Sequence, residues 1–434
     1  MERLNEFGYV TAQSIMEAAQ LCGTPVYLYD ERQIIERCHA LKDMPNAYGI
    51  TVRFAMKAHS TSAILKTIAN VGLKFDASSL NEVRRAHMAG VPYSDIILTA
   101  QEIQFGSDRS ALQDMMLSGL KYNVCSLRQL ELIADFAVAN NIPLAIRIHP
   151  GVGSGETAAR NTGDDYSCFG VHRTDLDSAL TLAKDKGLIF DHVHTHIGSG
   201  ADPEVWRENI DLELNIIREH FPDALTVSFG GGFKEARMPD EHAANVHELG
   251  ESAKAKVEQF AKETGRKLKT EIEPGTYLMA NAGYAITRIV DKKTTGASGM
   301  NFLIADGGME INTRPLLYGS RHPFYVISKS GKLVSSEFEL DDSSNYEAVV
   351  VGKCCESGDA QSLTLEGVSL PRKMNEPELD DYLVIGGVGA YCSSMSLMNY
   401  NSHGQIPELL LKANGELQLI RKRQTLEQIV ANEI

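Results

Sequence analysis

Short apolar strand patterns alternate with amphipathic helix patterns along the first two thirds of the chain, and this alternation constrains the fold most. The strand patterns occupy residues 52–56, 73–76, 95–99, 121–124, 143–148, 189–194, 225–229 and 269–273. Helical spacing of apolar residues occurs between them, at residues 62–70, 80–89, 110–118, 127–140 and 175–186. About eight strands that alternate with helices predict an α/β fold in which parallel strands close into a (β/α)8 TIM-type barrel. In such barrels the functional site lies where strands end and loops begin.

The sequence changes character after residue 285. β-Branched and aromatic runs broken by turn residues occur at 285–291, 302–306, 324–328, 346–351, 382–385 and 417–420. Such runs predict a second, mostly β domain. We therefore expect an N-terminal segment at residues 1–35 that packs with the β domain, a barrel at 36–284 and the β domain at 285–434.

Composition and charge argue against several classes of function. The 434 residues carry a formal net charge of -15, whereas nucleic-acid binding needs clustered positive charge. No apolar run approaches the roughly 20 residues of a membrane helix, and the opening residues lack a signal-peptide profile, so a cytoplasmic protein is expected. The seven cysteines are scattered and odd in number, which indicates neither a disulfide framework nor a metal site.

Lys57 ends the first strand pattern of the barrel, directly after Phe54, Ala55 and Met56. At the mouth of a buried element, desolvation disfavours an ammonium and leaves a nucleophilic amine that can form a Schiff base with an aldehyde or ketone. Taken alone, the same pattern also describes a lysine that ends an edge strand and points into water. The other candidate residues bear on the choice between these two interpretations.

Two segments with possible phosphate ligands follow later strand patterns. His196 could stack on a planar ring, and Ser199 offers a hydroxyl to a phosphate. Gly230, Gly231 and Gly232 expose backbone N–H groups that can surround an anion. A structural histidine and an ordinary tight turn would give the same two patterns.

Carboxylates and a thiol mark the remaining candidate segments. Glu273, which precedes Pro274 and Gly275 after the last barrel strand, could keep a pyridine nitrogen protonated. In the β domain, the run Cys355–Asp359 contains a thiol and two carboxylates that could deliver a proton and hold an ammonium group. Without neighbours, each segment is a polar turn.

The motifs share one order along the chain. They are Phe54–Ala58 around Lys57, Asp76 with Ser78–Glu82, His196–Ser199, Gly230–Gly232, Glu273–Gly275, Arg314–Gly319, Cys355–Asp359 and Gly389–Tyr391. In this order, over residues 23–402, the chain resembles the fold-type III pyridoxal-phosphate decarboxylases, and among these the diaminopimelate decarboxylase family. The resemblance implies an alanine racemase/ornithine decarboxylase-like fold, pyridoxal phosphate as cofactor, and conversion of meso-diaminopimelate to L-lysine and carbon dioxide.

The resemblance also implies a role for each matching residue. Lys57 would hold the cofactor, and Cys355 would protonate the carbanion after carbon dioxide leaves. The cofactor ligands would be Asp76, His196, Ser199, Gly230, Gly231, Gly232, Glu273, Gly275 and Tyr391, and the substrate ligands Arg314, Tyr318, Glu356, Asp359 and Tyr391. Members of the family are homodimers with shared active sites, in which each subunit lends Cys355, Glu356 and Asp359 to the other.

Three positions depart from the family pattern. Thr276 stands where the family has an arginine that contacts the distal end of the substrate, Cys168 where it has a lysine, and His59 where it has an asparagine. Losing one charged hydrogen bond, worth about 1.5–3 kcal/mol, would reduce the preference for a second carboxylate roughly ten- to a hundredfold. D-Lysine and D-ornithine are therefore alternative substrates. A catalytically silent cofactor-binding relative and an amino-acid racemase are less favoured alternatives.

Overall fold

The computed structural model describes residues 4, 8–155, 160–199, 202–340 and 344–434. The chain forms two compact units. The barrel unit comprises Arg37–Glu235 and Ala243–Tyr277, and the sheet unit comprises the other described residues, including Ala236–His242 and Leu278–Ile434.

Strands and helices alternate through most of the chain. The strands are β1 (Val26–Asp30), β2 (Ile50–Ala55), β3 (Lys74–Ala77), β4 (Ile96–Thr99), β5 (Lys121–Val124), β6 (Leu144–Arg147), β7 (Phe190–His194), β8 (Thr226–Ser228), β9 (Lys269–Ile272), β10 (Gly283–Thr294), β11 (Asn301–Ala305), β12 (Phe324–Ile327), β13 (Leu333–Ser336), β14 (Tyr346–Val351), β15 (Arg372–Met374), β16 (Tyr382–Ile385), β17 (Glu408–Leu411) and β18 (Leu417–Arg421). The helices are α1 (Ala12–Cys22), α2 (Glu31–Lys42), α3 (Ser62–Asn70), α4 (Leu80–Met88), α5 (Gly106–Leu117), α6 (Leu127–Ala139), α7 (Arg173–Lys186), α8 (Pro203–His220), α9 (Val246–Thr264), α10 (Thr276–Met279), α11 (Arg314–Tyr318) and α12 (Leu426–Ile429).

The barrel unit confirms the predicted (β/α)8 barrel. Strands β2 to β9 pair in parallel in chain order, and β9 pairs with β2 to close the barrel. Strands β4 and β6 are buried at every position, as expected for strands covered by helices outside and packed side chains inside. All eight strand ends therefore meet at one face of the barrel.

The chain leaves and enters the barrel strands through short capped turns. The hydroxyls of Ser79 and Ser126 accept the backbone N–H groups of Glu82 and Gln129, each at 3.1 Å, and so start α4 and α6. Gly187 ends α7 in the left-handed region, with a φ of 70°, which glycine adopts without steric cost. These caps fix where each helix begins or ends relative to the strand ends.

The sheet unit is built on a largely antiparallel sheet. Its main strand order is β13-β12-β16-β10-β1-β17-β18, and β11, β14 and β15 extend from β10. Strand β1 pairs antiparallel with β10 and parallel with β17. The apolar core of this sheet includes Val26, Leu28, Ile286, Tyr325 and Leu409, so residues far apart in sequence form one core.

Among the helices of the described residues, none is both long enough and apolar enough to cross a membrane.

Candidate active site

Lys57 lies at the mouth of the barrel, in a turn and not in a strand. Strand β2 ends at Ala55, and one 3-10 turn, Met56–Ala58, follows it. The predicted strand at 52–56 therefore ends one residue early. Ala55 donates its N–H to the carbonyl of Pro274 at 3.1 Å, which ties the end of β2 to the residues that follow β9. Because Met56 and Ala58 are buried and Lys57 is exposed, the turn directs the lysine out of the core.

Two buried carboxyl groups belong to the same electrostatic site as Lys57. Asp76 on β3 and Glu273 after β9 are only 4% and 7% exposed. Burial raises the pKa of Asp76 far above its usual value, the carboxylate of Glu273 raises it further, and the ammonium of Lys57 opposes both. Burial likewise raises the pKa of Glu273 to about 6, helped by Glu271 and opposed by Arg147, His192 and Lys57. One oxygen of Asp76, Oδ1, is buried without a hydrogen-bond partner among the described residues.

Each oxygen of the Glu273 carboxylate faces a polar side chain inside the barrel. Ser228 on β8 donates its hydroxyl to Oε1 at 3.3 Å. His194 at the end of β7 places its Nε2 3.2 Å from Oε2. Residues on two adjacent strands therefore contact both oxygens of the carboxylate.

Deeper in the barrel, Glu271 forms a separate charged group. The guanidinium of Arg53 lies 2.7 Å from one carboxylate oxygen of Glu271, and His192 lies 3.4 Å from the other. Although burial alone raises the pKa of Glu271, Arg53 and His192 outweigh it and lower the pKa below its usual value. Glu271 is therefore ionised and paired, two residues before Glu273.

The glycines after β8 pass close to backbone atoms that leave no room for a side chain. Gly230 has a φ of +65°, and a Cβ atom there would lie 2.6 Å from the carbonyl oxygen of Thr195. A Cβ atom on Gly231 would lie 2.4 Å from the carbonyl oxygen of Glu273. Gly232 also has a positive φ, 96°. Glycine is thus required at these positions, and it lets the backbone pass close to its neighbours near the strand ends.

His196 and Ser199 follow β7 on the same face of the barrel. The N–H of Gly231 donates to Nδ1 of His196 at 3.1 Å, which fixes the imidazole against the glycine turn. Burial, followed by the charges of Arg147 and Lys57, lowers the pKa of His196 far below its usual value, so its ring is neutral. The N–H of Ser199 donates to the carbonyl of Arg160 at 3.0 Å, and Gly275 is buried between β9 and α10.

The predicted substrate residues on α11 lie in the sheet unit. The Arg314 side chain is buried, its Nη2 donates to Ser320 Oγ at 3.2 Å, and its guanidinium lies 5.7 Å from the ring centre of Tyr318. Tyr391 has a positive φ of 59°. Because this left-handed region costs energy for a residue with a bulky side chain, Tyr391 is a strained position of the kind found at functional sites.

The Cys355–Asp359 turn presents some of its side chains and buries another. Cys355 and Glu356 are exposed, whereas Asp359 is 3% exposed. The carboxylate of Asp359 accepts the backbone N–H of Met309 at 2.6 Å and that of Cys354 at 2.7 Å. Asp359 therefore holds the turn in place by backbone contacts.

Residues 399–401 support the exposed part of that turn. Asn401 accepts the N–H of Cys355 at 3.0 Å, and the hydroxyl of Tyr400 donates to Glu356 at 3.1 Å. Hydrogen bonds from the Gly358 N–H, the Ser357 hydroxyl and Tyr400 lower the pKa of Glu356. Glu356 is thus an exposed, ionised carboxylate.

Several residues of the barrel site are absent from the sequence prediction. Arg147, the last residue of β6, acts on the pKa values of Glu273, His194 and His196, and its guanidinium lies 5.1 Å from the ring centre of Phe169. Its signal in the sequence is a charged residue at the end of an apolar strand, the same signal that selected Lys57. Asn123, on β5, is also absent from the sequence prediction, because a single amide side chain within a strand has no distinctive spacing.

The residues of the barrel mouth fit pyridoxal phosphate. A lysine at a strand end can bond an aldehyde, a buried carboxylate contacted by a hydroxyl and an imidazole can pair with a pyridinium, and glycine backbone can approach a phosphate. The unpaired oxygen of Asp76 adds an acceptor in the same site. The family model for the pyridoxal-dependent decarboxylase, pyridoxal binding domain, matches residues 31–280. The chain belongs to this family of decarboxylases, and it is a carboxy-lyase with pyridoxal phosphate as its cofactor.

Within that family the chain is similar to diaminopimelate decarboxylases over nearly its whole length. The enzyme of Escherichia coli (strain K12) is 33% identical over 429 residues, which cover 98% of this chain and 97% of that protein. The enzyme of Streptomyces coelicolor is 30% identical, covering 98% and 93%. One crystal structure of a diaminopimelate decarboxylase has a TM-score of 0.89 at 32% identity and covers 100% of this chain and 99% of the other. The Helicobacter pylori enzyme complexed with L-lysine has a TM-score of 0.80 at 27% identity, covering 96% and 98%.

Proposed function

We propose that this protein converts meso-diaminopimelate to L-lysine and carbon dioxide. The observation that carries the proposal is the buried Glu273 carboxylate, held by Ser228 and His194 in the barrel that also presents Lys57. The similarity to diaminopimelate decarboxylases over 98% of the chain supports the choice of substrate. When bound, the protonated cofactor ring supplies an electron sink for the pair released as the carboxylate leaves.

The barrel residues would bind and orient the cofactor. Lys57 would hold it through the side-chain amine, Glu273 would accept a hydrogen bond from the ring nitrogen, and the neutral His196 would lie flat on the ring. A set of small or polar residues would bind or approach the phosphate, namely Ser199, Gly230, Gly231, Gly232, Gly275 and Tyr391. Asp76 would add a buried carboxyl to the same site. The backbone of Gly230 and Gly231 passes so close to neighbouring carbonyl oxygens that no side chain fits there. This close packing supports the proposed contact of the glycine turn with the phosphate.

The substrate residues would come from the sheet unit. Arg314 and Tyr318 would bind the distal end of the amino acid, together with Tyr391. Cys355 would protonate the carbanion, and Glu356 and Asp359 would hold the substrate. Because both oxygens of Asp359 accept backbone N–H groups, its contribution would include holding the turn that carries Cys355.

A second candidate substrate class is a basic D-amino acid without a distal carboxylate, such as D-lysine or D-ornithine. The observation that favours it is Thr276, an uncharged and buried residue at the start of α10, where the family pattern has an arginine. Carbon dioxide release from meso-diaminopimelate, D-lysine, D-ornithine, L-ornithine and L-arginine, measured side by side, distinguishes the candidates. We expect meso-diaminopimelate to have the highest kcat/KM. A higher kcat/KM for D-lysine or D-ornithine would instead support the second candidate substrate class.

We further propose that the protein acts as a cytoplasmic homodimer. Cys355 and Glu356 are exposed near the exposed side chains of Leu316 and Leu365. Leu316 adjoins Gly358 of the same turn, and Leu365 adjoins Gly319, which follows α11. Exposed apolar side chains around functional residues are typical of an interface. All seven cysteines are free thiols, as is usual for proteins of a reducing compartment.

Mixed dimers test the shared site. Lys57→Ala and Cys355→Ala, each inactive alone, would be unfolded, mixed and refolded together. If each active site takes Lys57 from one subunit and Cys355 from the other, random pairing restores about a quarter of the wild-type activity, because half the dimers regain one of two sites. Mixtures that remain inactive, although they form dimers, would contradict shared sites.

A further inference from the structure

Five buried side chains form a continuous series of polar contacts across the interior of the barrel. Asp76, Thr99, Asn123 and His194 lie on β3, β4, β5 and β7, and Glu273 follows β9. Each is at most 9% exposed. Thr99 and Asn123 are also direct register partners of β4 and β5. These contacts thus connect the two buried carboxyl groups of the candidate site through Thr99, Asn123 and His194.

The side-chain amide of Asn123 donates hydrogen bonds to both of its neighbours in this series of contacts. Its amide nitrogen Nδ2 lies 3.1 Å from Thr99 Oγ1 and 2.8 Å from His194 Nδ1. An amide nitrogen carries two hydrogens and no acceptor, so the Thr99 hydroxyl and the His194 Nδ1 atom both accept.

The two acceptors can then each donate to a carboxylate. Thr99, whose hydroxyl hydrogen is not used toward Asn123, lowers the pKa of Asp76. His194, with Nδ1 as acceptor, carries its proton on Nε2, the atom that lies 3.2 Å from Glu273 Oε2. The donating atoms that remain on Thr99 and His194 are thus the ones not used toward Asn123, and on His194 this atom lies beside Glu273.

We propose that Asn123 is a positioning residue, which fixes the tautomer of His194 so that its proton lies on Nε2, the nitrogen beside the Glu273 carboxylate. This proposal rests on the proposed role of Glu273 and Asp76 as cofactor ligands. A proton on His194 Nε2 favours the ionised form of Glu273, which a pyridinium nitrogen needs as its acceptor. Asn123, Thr99 and His194 do not themselves contact the reacting atoms in this scheme.

The surrounding charges agree with a neutral His194. Burial lowers the pKa of His194 far below its usual value, and the charges of Arg147 and Lys57 lower it further, whereas Glu271 acts in the opposite direction. A neutral ring has one protonated nitrogen, so its tautomer is set by which nitrogen accepts from Asn123. At the other end of these contacts, Thr99 opposes the burial that raises the pKa of Asp76.

The tautomer of His194 in the cofactor-free protein tests the proposal directly. In protein labelled with ¹⁵N in histidine, the His194 signals are assigned by their loss in His194→Gln. We expect Nε2 to be protonated and Nδ1 to be unprotonated. A proton on Nδ1 in the wild-type protein would overturn the proposal, whether or not any variant folds.

Asn123→Asp tests the consequence, because aspartate accepts where asparagine donates. We expect the His194 proton to move to Nδ1 and pyridoxal phosphate to dissociate roughly ten- to a hundredfold more readily. Asn209→Asp is the matched control, since Asn209 is a buried asparagine of the same barrel that donates to Thr195 at 2.7 Å; it should leave the His194 signals unchanged. An unchanged tautomer in Asn123→Asp, or the same change in both variants, would contradict the role of Asn123. Because these signals are read without cofactor or substrate, they stay informative even if the substrate proposal fails.

Discussion

The two units present their candidate residues in opposite ways. In the barrel unit, Asp76, His194 and Glu273 are buried, and residues of neighbouring strands contact both oxygens of Glu273. In the sheet unit, Cys355 and Glu356 are exposed on a turn whose support comes from residues behind it. The difference indicates that the candidate residues of the barrel are positioned by their own unit, whereas the Cys355 turn exposes its candidate residues to solvent.

The largest expected effect of a single substitution is at Lys57. Lys57→Ala removes the amine that would bond the cofactor, and losses on removing a covalently acting residue are roughly 10³- to 10⁶-fold in kcat. The rate of carbon dioxide release measures the effect. Borohydride treatment of wild-type protein should also attach the cofactor irreversibly to Lys57, as detected by mass spectrometry of the peptides.

Lys66→Ala is the matched control for Lys57→Ala. Lys66 is an exposed lysine on α3 of the same unit, so its loss should change neither the activity nor the labelling. If Lys57→Ala kept more than a tenth of the wild-type rate, or if borohydride labelled another lysine, the barrel would not be the preorganised site inferred here.

The fold of the barrel could be predicted because its signals are local. Each strand–helix pair repeats the same alternation, and parallel pairing in chain order follows from it. The sheet unit lacks this property, since β1 pairs with β10 and β17, which lie more than 200 residues away in sequence. A mostly β domain was therefore predictable, but its strand order was not.

The same distinction applies to the site. Lys57, the glycine turn and Glu273 stand at strand ends, where the sequence marks them by a change from apolar to polar or glycine residues. Asn123 is a polar residue inside a strand, and only the barrel register brings it to Thr99 and His194. Residues whose importance comes from register carry no local pattern, so sequence reasoning did not find it.

Substitutions at two positions of the Cys355 turn distinguish an exposed side chain that acts in the reaction from a buried side chain that stabilises the turn. Cys355→Ala should reduce the rate of decarboxylation roughly 10²- to 10⁴-fold, the usual contribution of a proton donor, and leave stability within about 0.5 kcal/mol, because the side chain is exposed. Asp359→Ala should instead destabilise the protein by about 2–5 kcal/mol, since two buried N–H groups lose their acceptor. Urea unfolding and steady-state kinetics of both variants measure the contrast.

An opposite result for Asp359 would change the comparison between the units. If Asp359→Ala retained wild-type stability and mainly raised the KM, Asp359 would act on the substrate and not on the turn. The sheet unit would then also contain a buried, preorganised part of the site.

The smallest expected effect concerns Glu213, a fully buried carboxyl group on α8. Thr195 donates its hydroxyl to Oε2 at 2.7 Å, and Oε1 has no hydrogen-bond partner among the described residues. Burial is the main cause that raises the pKa of Glu213 far above its usual value, so the folded protein keeps this group neutral. In the unfolded chain a glutamate ionises at about pH 4.3.

Above that pH the unfolded chain has released a proton that the folded chain retains, so Glu213 makes wild-type stability fall as the pH rises. The slope is about 1.4 kcal/mol per pH unit until the folded group itself ionises. Glu213→Gln has no such titration, so its stability relative to wild type should rise between pH 5 and 7 at about that slope. Other buried carboxyls, such as Asp76, are present in both proteins and cancel in the difference. Urea unfolding followed by fluorescence of Trp206, the single tryptophan of the chain, on α8 itself, reports on the barrel unit. If the stabilities of the wild type and Glu213→Gln instead changed in parallel with pH, Glu213 would be ionised in the folded protein. The barrel interior would then tolerate a buried carboxylate beside Thr195.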